Sequence, residues 1–217
     1  MKMEYFDHCF IEGDTLETSD VVNGGAELFL YQSGYLTIKG YDDGVYILGF
    51  PNFEVRKALY RVVVPALTMK SNSEVVSAQS FLRKMMQDGN TAEAKKALKA
   101  LIADVPYSNK KMASMDMEER YRLIMSTIFR ALGFRVEVER MLATGRIDMI
   151  VEVPSIIYVL ELKLSNNGGI SAAESQIKEK SYTEPFKADK RKVIALAVEL
   201  DETGKGLIDW KEVDESL

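Results

Sequence analysis

GRIDMIVEVPSIIYVLELK, residues Gly145–Lys163, decides the fold. It holds two apolar runs broken at Pro154-Ser155, which read as one strand over roughly 146–153, a tight turn, and a second strand over Ile156–Leu164. Side chains alternate faces along a strand, so Glu161 and Lys163 point the same way while Leu160 and Leu162 point into apolar packing. Antiparallel pairing brings the start of the first strand beside the end of the second, which places Asp148 near Glu161 and Lys163. Two carboxylates and an ammonium at the end of a buried hairpin are costly unless something uses them.

Working outward, the pattern on either side completes an α/β unit. Asp116 with Glu119 reads as a capping box opening a helix, whose stripe Tyr121, Ile124, Met125, Ile128 and Leu132 ends at Gly133. Phe134–Val138 reads as a strand ahead of the hairpin. Ser171 with Glu174 reads as a second capping box, starting a helix that runs to about Tyr182. Lys192–Val198 reads as a buried strand and Leu207–Glu212 as a short edge strand, giving helix, three strands, helix, strand, strand.

Upstream, residues 25–32 read as a short helix and 35–49 as a hairpin turning at Gly40–Gly44, with strands over Tyr35–Lys39 and Val45–Gly49. Helices are expected over Phe53–Leu67, Ser73–Gln87 and Ala92–Ala103, the last capped by Thr91, while residues 1–20 are polar and weakly patterned. The change of pattern at Pro106–Ser114 predicts a boundary between a mostly helical domain over 1–105, carrying the one hairpin, and a second domain over 106–217. Helix, hairpin, helix resembles a winged-helix piece, but its tip, Asp42-Asp43, is acidic and would repel phosphate.

Composition narrows the chemistry. The net charge of −5 argues against a grip on nucleic acid by the whole surface, though not against a local or metal-assisted site. One cysteine, Cys9, rules out an internal disulfide, and one histidine, His8, rules out a multi-histidine zinc site. A metal held by this chain is therefore held by oxygen, which means Mg²⁺ or Mn²⁺. No GxxxxGK[ST] phosphate loop occurs, no apolar run reaches the ~20 residues of a membrane helix, and the first ten residues lack a secretory pattern, so a cytoplasmic setting is expected.

The element order, with D-x(12)-E-x-K across two strands, resembles the PD-(D/E)xK nuclease superfamily. More narrowly, GRIDMIVEV, YVLELKL and AAESQIKEKSYTEPF are similar to the nuclease-like domain at the C-terminal end of bacterial AAA-ATPase-like proteins. LFLYQSGYLTIKGYDDGVYILGFPNFEVRKALY is similar to the segment that joins ATPase to nuclease there. The ATPase is absent from this chain, which looks like the C-terminal part of such a protein, covering the family over roughly 25–213.

The resemblance implies a restriction-endonuclease-like core and Mg²⁺-dependent hydrolysis of nucleic-acid phosphodiesters, DNA ahead of RNA. It assigns Asp148 and Glu161 as metal-binding carboxylates, Lys163 as the motif lysine, Glu118 as the acidic residue of the first helix and Gln176 as the glutamine of the second. With the Leu162 carbonyl, these carboxylates form an oxygen set suited to Mg²⁺. Lys163 is a point charge for the water or the phosphate oxygens, and Gln176 with Lys180, on one helix face, is a phosphate or water contact. Arg146 would neutralise the carboxylates or steady the hairpin, and Tyr182 reads as packing. Two other readings stand beside this one: a structural ion pair at a sheet edge, and a non-hydrolytic module of a larger ATPase system that binds nucleic acid or protein.

Overall fold

A computed structural model describes residues 8–17, 25–103 and 116–214. The chain divides into two compact units, Met1–Val62 and Val63–Leu217. In the first, β1 (Cys9–Glu12) leads into α1 (Gly13–Glu17), followed by α2 (Gly25–Gln32), β2 (Thr37–Asp42), β3 (Val45–Gly49) and the start of α3 (Phe53–Thr68). The predicted hairpin is present, and β1 joins it antiparallel to make a sheet of order β1-β3-β2. The polarity of residues 1–20 hid β1, whose Cys9 and Ile11 are buried while Phe10 and Glu12 are exposed.

The second unit is built on a five-stranded sheet of order β4-β5-β6-β7-β8: β4 (Arg135–Leu142), β5 (Gly145–Glu152), β6 (Ile156–Leu164), β7 (Lys192–Leu200) and β8 (Leu207–Val213). Only β6 and β7 are parallel, from Ile156↔Lys192 to Leu164↔Leu200, and the crossover between them carries α7 (Gly169–Lys180). One face packs on α6 (Met117–Ala131) through Tyr121, Ile124, Met125, Ile128 and Phe129. The other packs on Ala173 and Ile177 of α7, with Tyr182 and Phe186 beyond it. Burial on both faces explains why β5, β6 and β7 read as unbroken apolar runs.

The expected division at 105/106 differs from the one observed at 62/63. The helices placed by sequence in the first domain, α4 (Asn72–Asp88) and α5 (Thr91–Ile102), share a single apolar core with α6 and the large sheet, through Val75, Leu82, Met86, Ala94, Leu98 and Leu101. Polar ties fix them there: Tyr158 Oη donates to the Met86 carbonyl at 2.6 Å, Trp210 Nε1 donates to the Thr91 carbonyl at 3.0 Å, and Lys95 pairs with Asp209. Residues 106–114, on which the expected boundary rested, lie outside the described residues.

Several helix starts differ locally. Asn90 rather than Thr91 caps α5, accepting from the Glu93 N–H, because the Thr91 hydroxyl donates to Glu212 on β8. Asp116 caps α6 through the Glu118 N–H. α7 begins two residues before the expected Ser171, which therefore lies inside the first turn, so no box forms, and Glu174 pairs instead with Lys178 and Lys211. Its start is set instead by Glu199 of β7, whose carboxylate accepts from the Ile170 N–H at 3.3 Å. Gly169 has φ 50°, which strains other residues, and a Cβ there would sit 2.6 Å from Glu199 Cδ and displace that carboxylate. Among the described residues, no helix is long and apolar enough to cross a membrane.

Tyr158→Phe should lower the unfolding free energy by about 1 kcal/mol, because the Met86 carbonyl loses a buried donor. Leu160→Ala, in the same strand and wholly buried, should cost about 2–5 kcal/mol. Urea denaturation of both variants measures this, and equal costs would mean that the hydroxyl rather than the core fixes the helical pair on the sheet.

Candidate active site

Pairing between β5 and β6 runs from Glu152↔Ile157 to Met149↔Leu160 and stops there. The next pair across would be Asp148 and Glu161, so the strands part where the two carboxylates stand. The Leu162 N–H donates to Asp148 Oδ2 at 2.9 Å. On the other side of β5 the ladder with β4 skips a residue, passing from Val138↔Met149 to Arg140↔Ile147. The omitted Glu139, opposite Asp148, has φ 55°, a left-handed conformation that a non-glycine residue holds at some cost. Ile147 correspondingly leaves the face that Met149 and Val151 share and packs with α7.

The expected trio is therefore adjacent. Asp148 and Glu161 are almost wholly buried, at 3% and 1% exposure, and Lys163 Nζ donates to Glu161 Oε1 at 2.7 Å. Leu160 and Leu162 enter the opposite core, as their alternation requires. Glu161 Oε2 is buried without a hydrogen-bond partner. Burial, and next the Asp148 charge, push the Glu161 carboxyl up to about 7 against the pull of Lys163. Burial alone would lower the Lys163 ammonium, but its bond to Glu161 and the charges of Glu161, Asp148 and Glu118 raise it.

The remaining expected residues are held by others. Glu118 is engaged by Arg122, four residues along α6, whose Nη2 donates to Glu118 Oε1 at 3.1 Å and to Asp148 Oδ1 at 3.3 Å. Arg122 Nη1 donates to Glu139 Oε1 at 3.4 Å, and the same oxygen accepts from Arg146 Nη1 at 2.9 Å. Arg146 thus serves Glu139 and not the Asp148–Glu161 pair directly. Burial and the Asp148 charge raise the Glu118 carboxyl above its ordinary value. Gln176 Nε2 donates to Tyr182 Oη at 3.0 Å, and Tyr182 Oη donates to the Arg146 carbonyl at 2.7 Å, so this pair anchors the start of β5. Burial raises the Tyr182 phenol, and the charges of Glu161 and Asp148 add to that rise.

Arg122 and Glu139 were not singled out by the sequence reading. Glu118 and Arg122 stand at i and i+4, the spacing of an ion pair on a helix, which is a signal for Arg122. Nothing local marks Glu139, whose role depends on a break in strand pairing.

Among the described residues, no three His, Cys, Asp or Glu side chains converge as a ready metal cluster. Two buried carboxylates, one with an oxygen lacking any partner, nevertheless fit a hard divalent ion that keeps several waters. Asp148 spends one lone pair of each oxygen on Leu162 and Arg122 and retains the others.

The raised Glu161 value fixes a sign. The folded protein holds this proton better than the unfolded chain does, so in the absence of metal this group costs stability as pH rises from about 4.3 towards 7. Glu161→Gln should therefore raise the melting temperature of the metal-free protein at pH 8, with the advantage vanishing near pH 4. Mn²⁺ at 100 times its dissociation constant should stabilise the wild type by about 2.7 kcal/mol and the variant hardly at all. Thermal melts with chelator and with Mn²⁺ read both effects.

Residues 116–210 match a family model described as PD-(D/E)XK nuclease superfamily. A relative from Azotobacter chroococcum mcd 1, "Uncharacterized protein in vnfD 5'region", is 26% identical over 216 residues; the alignment covers 93% of this chain and 40% of that protein. No solved structure matches. The family match spans every residue of the site, from Glu118 to Tyr182, and the mixed α/β architecture with its two sheets is consistent with the restriction-endonuclease-like PD-(D/E)XK fold.

Proposed function

We propose that this chain is a metal-dependent nuclease that hydrolyses phosphodiester bonds of nucleic acid, DNA ahead of RNA, with Mg²⁺ or Mn²⁺ as cofactor. The observation that carries the reading is Glu161 Oε2, a buried carboxylate oxygen without a partner, next to Asp148. A burial of this kind is expensive unless a cation completes it. Asp148, Glu161 and the Leu162 carbonyl would hold the ion, which supplies an activated water and neutralises charge on the phosphate.

The chain's own groups do the rest. Lys163 has three donors and no acceptor, so it cannot ligate the ion; its ammonium stabilises phosphate oxygens or orients the water. Its bond to Glu161 fixes that carboxylate beside Asp148. Gln176 acts through Tyr182, holding the first residues of β5 in place. Because the net charge is −5, nucleic acid is held near the site and not by the whole surface.

The chain spans 40% of the length of the relative it matches. We place the nuclease within a larger, cytoplasmic ATPase system, on the strength of the resemblance of its upstream segment to an ATPase–nuclease joint. A second reading, a binding module that does not hydrolyse, is favoured by one observation: Arg122 and Lys163 already neutralise Asp148 and Glu161 without a metal.

Lys163→Ala should reduce cleavage by about 10²–10³ and retain Mn²⁺ binding, because a charged lysine has no lone pair to give the ion. Asp148→Ala should lose both. Calorimetric Mn²⁺ titration beside a cleavage assay on DNA and RNA separates the cases. Metal binding without cleavage in the wild type would support the binding module, and undiminished cleavage by Asp148→Ala would put the chemistry elsewhere.

A further inference from the structure

We propose that Arg122 is a built-in counter-ion standing where a second divalent ion would otherwise bind, so that the site takes one metal ion and Glu118 is a positioning residue instead of a ligand. The proposal rests on the nuclease reading above and sharpens it. A further cation position needs a second carboxylate beside Asp148, and Glu118 of α6 stands one guanidinium away from it. Arg122 occupies the space between them: one nitrogen, Nη2, contacts Glu118 Oε1 at 3.1 Å and Asp148 Oδ1 at 3.3 Å.

Its other amino nitrogen reaches Glu139 at 3.4 Å, so the guanidinium is held by carboxylates from three elements, α6, β4 and β5. Only 8% of the residue is exposed, and its Nε is buried without a partner. A guanidinium so placed is not withdrawn without leaving Glu118 and Asp148 short of a counter-charge, since Glu139 alone of the three keeps another, Arg146.

The charge inventory agrees. Glu118, Glu139, Asp148 and Glu161 face Arg122, Arg146 and Lys163. One divalent ion beside Glu161 turns this cluster from net negative to net positive, and a second would add two charges to a buried site already in excess. Removing Arg122 frees Glu118 and Asp148 Oδ1 together and brings the one-ion cluster from net positive back to neutral. The Glu139 backbone supports the same assignment. Its left-handed φ of 55° interrupts the β4–β5 ladder opposite Asp148, and the side chain it carries is spent on Arg122 and Arg146.

The test counts bound Mn²⁺ by electron paramagnetic resonance and calorimetry at pH 8 on the full chain, without substrate. The wild type should bind one ion. Arg122→Ala should bind two, and Arg122→Ala combined with Glu118→Gln should return to one. Arg122→Lys, which keeps a charge there, should also bind one. Glu118→Gln in the otherwise unchanged chain should still bind one ion, with an affinity lowered by no more than the roughly 10–100-fold typical of a residue that only positions a ligand; this variant decides the matter even if Arg122→Ala does not fold. Two ions in the wild type, one ion in a folded Arg122→Ala, or loss of binding in Glu118→Gln would each overturn the proposal while leaving the nuclease reading intact. No Mn²⁺ bound by the wild type would overturn both, and the cleavage assay is independent of all of these counts.

Discussion

The site depends on a hydrogen bond that the sheet does not make. Antiparallel pairing of β5 and β6 ends at Met149↔Leu160, and the Leu162 N–H, no longer committed to a neighbouring strand, is satisfied by the Asp148 carboxylate at 2.9 Å. A buried amide must find an acceptor, and this one finds a charged acceptor, which is the stronger kind. The bond ties Asp148 to Leu162 near the end of β6, where backbone pairing with β5 has ceased. Glu161, Lys163 and the Arg122 guanidinium are arranged around the opening so formed. Continued pairing would have given the Leu162 N–H to the β5 backbone and taken this donor away from Asp148.

The ion pairs around this opening are a matter of position more than of stability. Burying Asp148 and Glu161 carries a desolvation penalty that Lys163 and Arg122 offset only in part, as the raised Glu161 carboxyl and its solitary Oε2 show. The cost is borne by the large core around them, where α4, α5 and α6 cover one face of the sheet and α7 the other.

Most of the second unit was legible because its signals are local. The two apolar runs around Pro154-Ser155, the stripe on α6 and the alternation Glu161, Lys163 against Leu160, Leu162 each express one period over a few residues. What escaped was decided at long range. Glu199, on β7, holds the start of α7 at Gly169, which puts Ser171 inside the helix where it cannot cap, and Thr91 does not cap α5 because Glu212 takes its hydroxyl. The helical pair α4–α5 looked like part of the first unit because its apolar stripe is the same whichever surface it covers; only the partners Tyr158 and Trp210 reveal the surface. At the site, the D…ExK spacing gave three residues, whereas Arg122 and Glu139 depend on where a ladder breaks.

The contact between Gly169 and Glu199 has a consequence for how this sequence can vary. Glu199 is the register partner of Lys163 across β6 and β7, and its carboxylate abuts Gly169 and binds the Ile170 N–H. The first turn of α7 is thereby referenced to the strand position beside Lys163, independently of the path that the chain takes through Ser165–Asn167. A helix turns by about 100° for each residue, so a helix positioned only by its connecting loop would swing Gln176 to another side with any change of loop length. Here an inserted or deleted residue is taken up ahead of the contact, and the phase of the helix is kept. Loop length is thus uncoupled from the phase of the helix, which the contact of Glu199 with Gly169 and Ile170 sets.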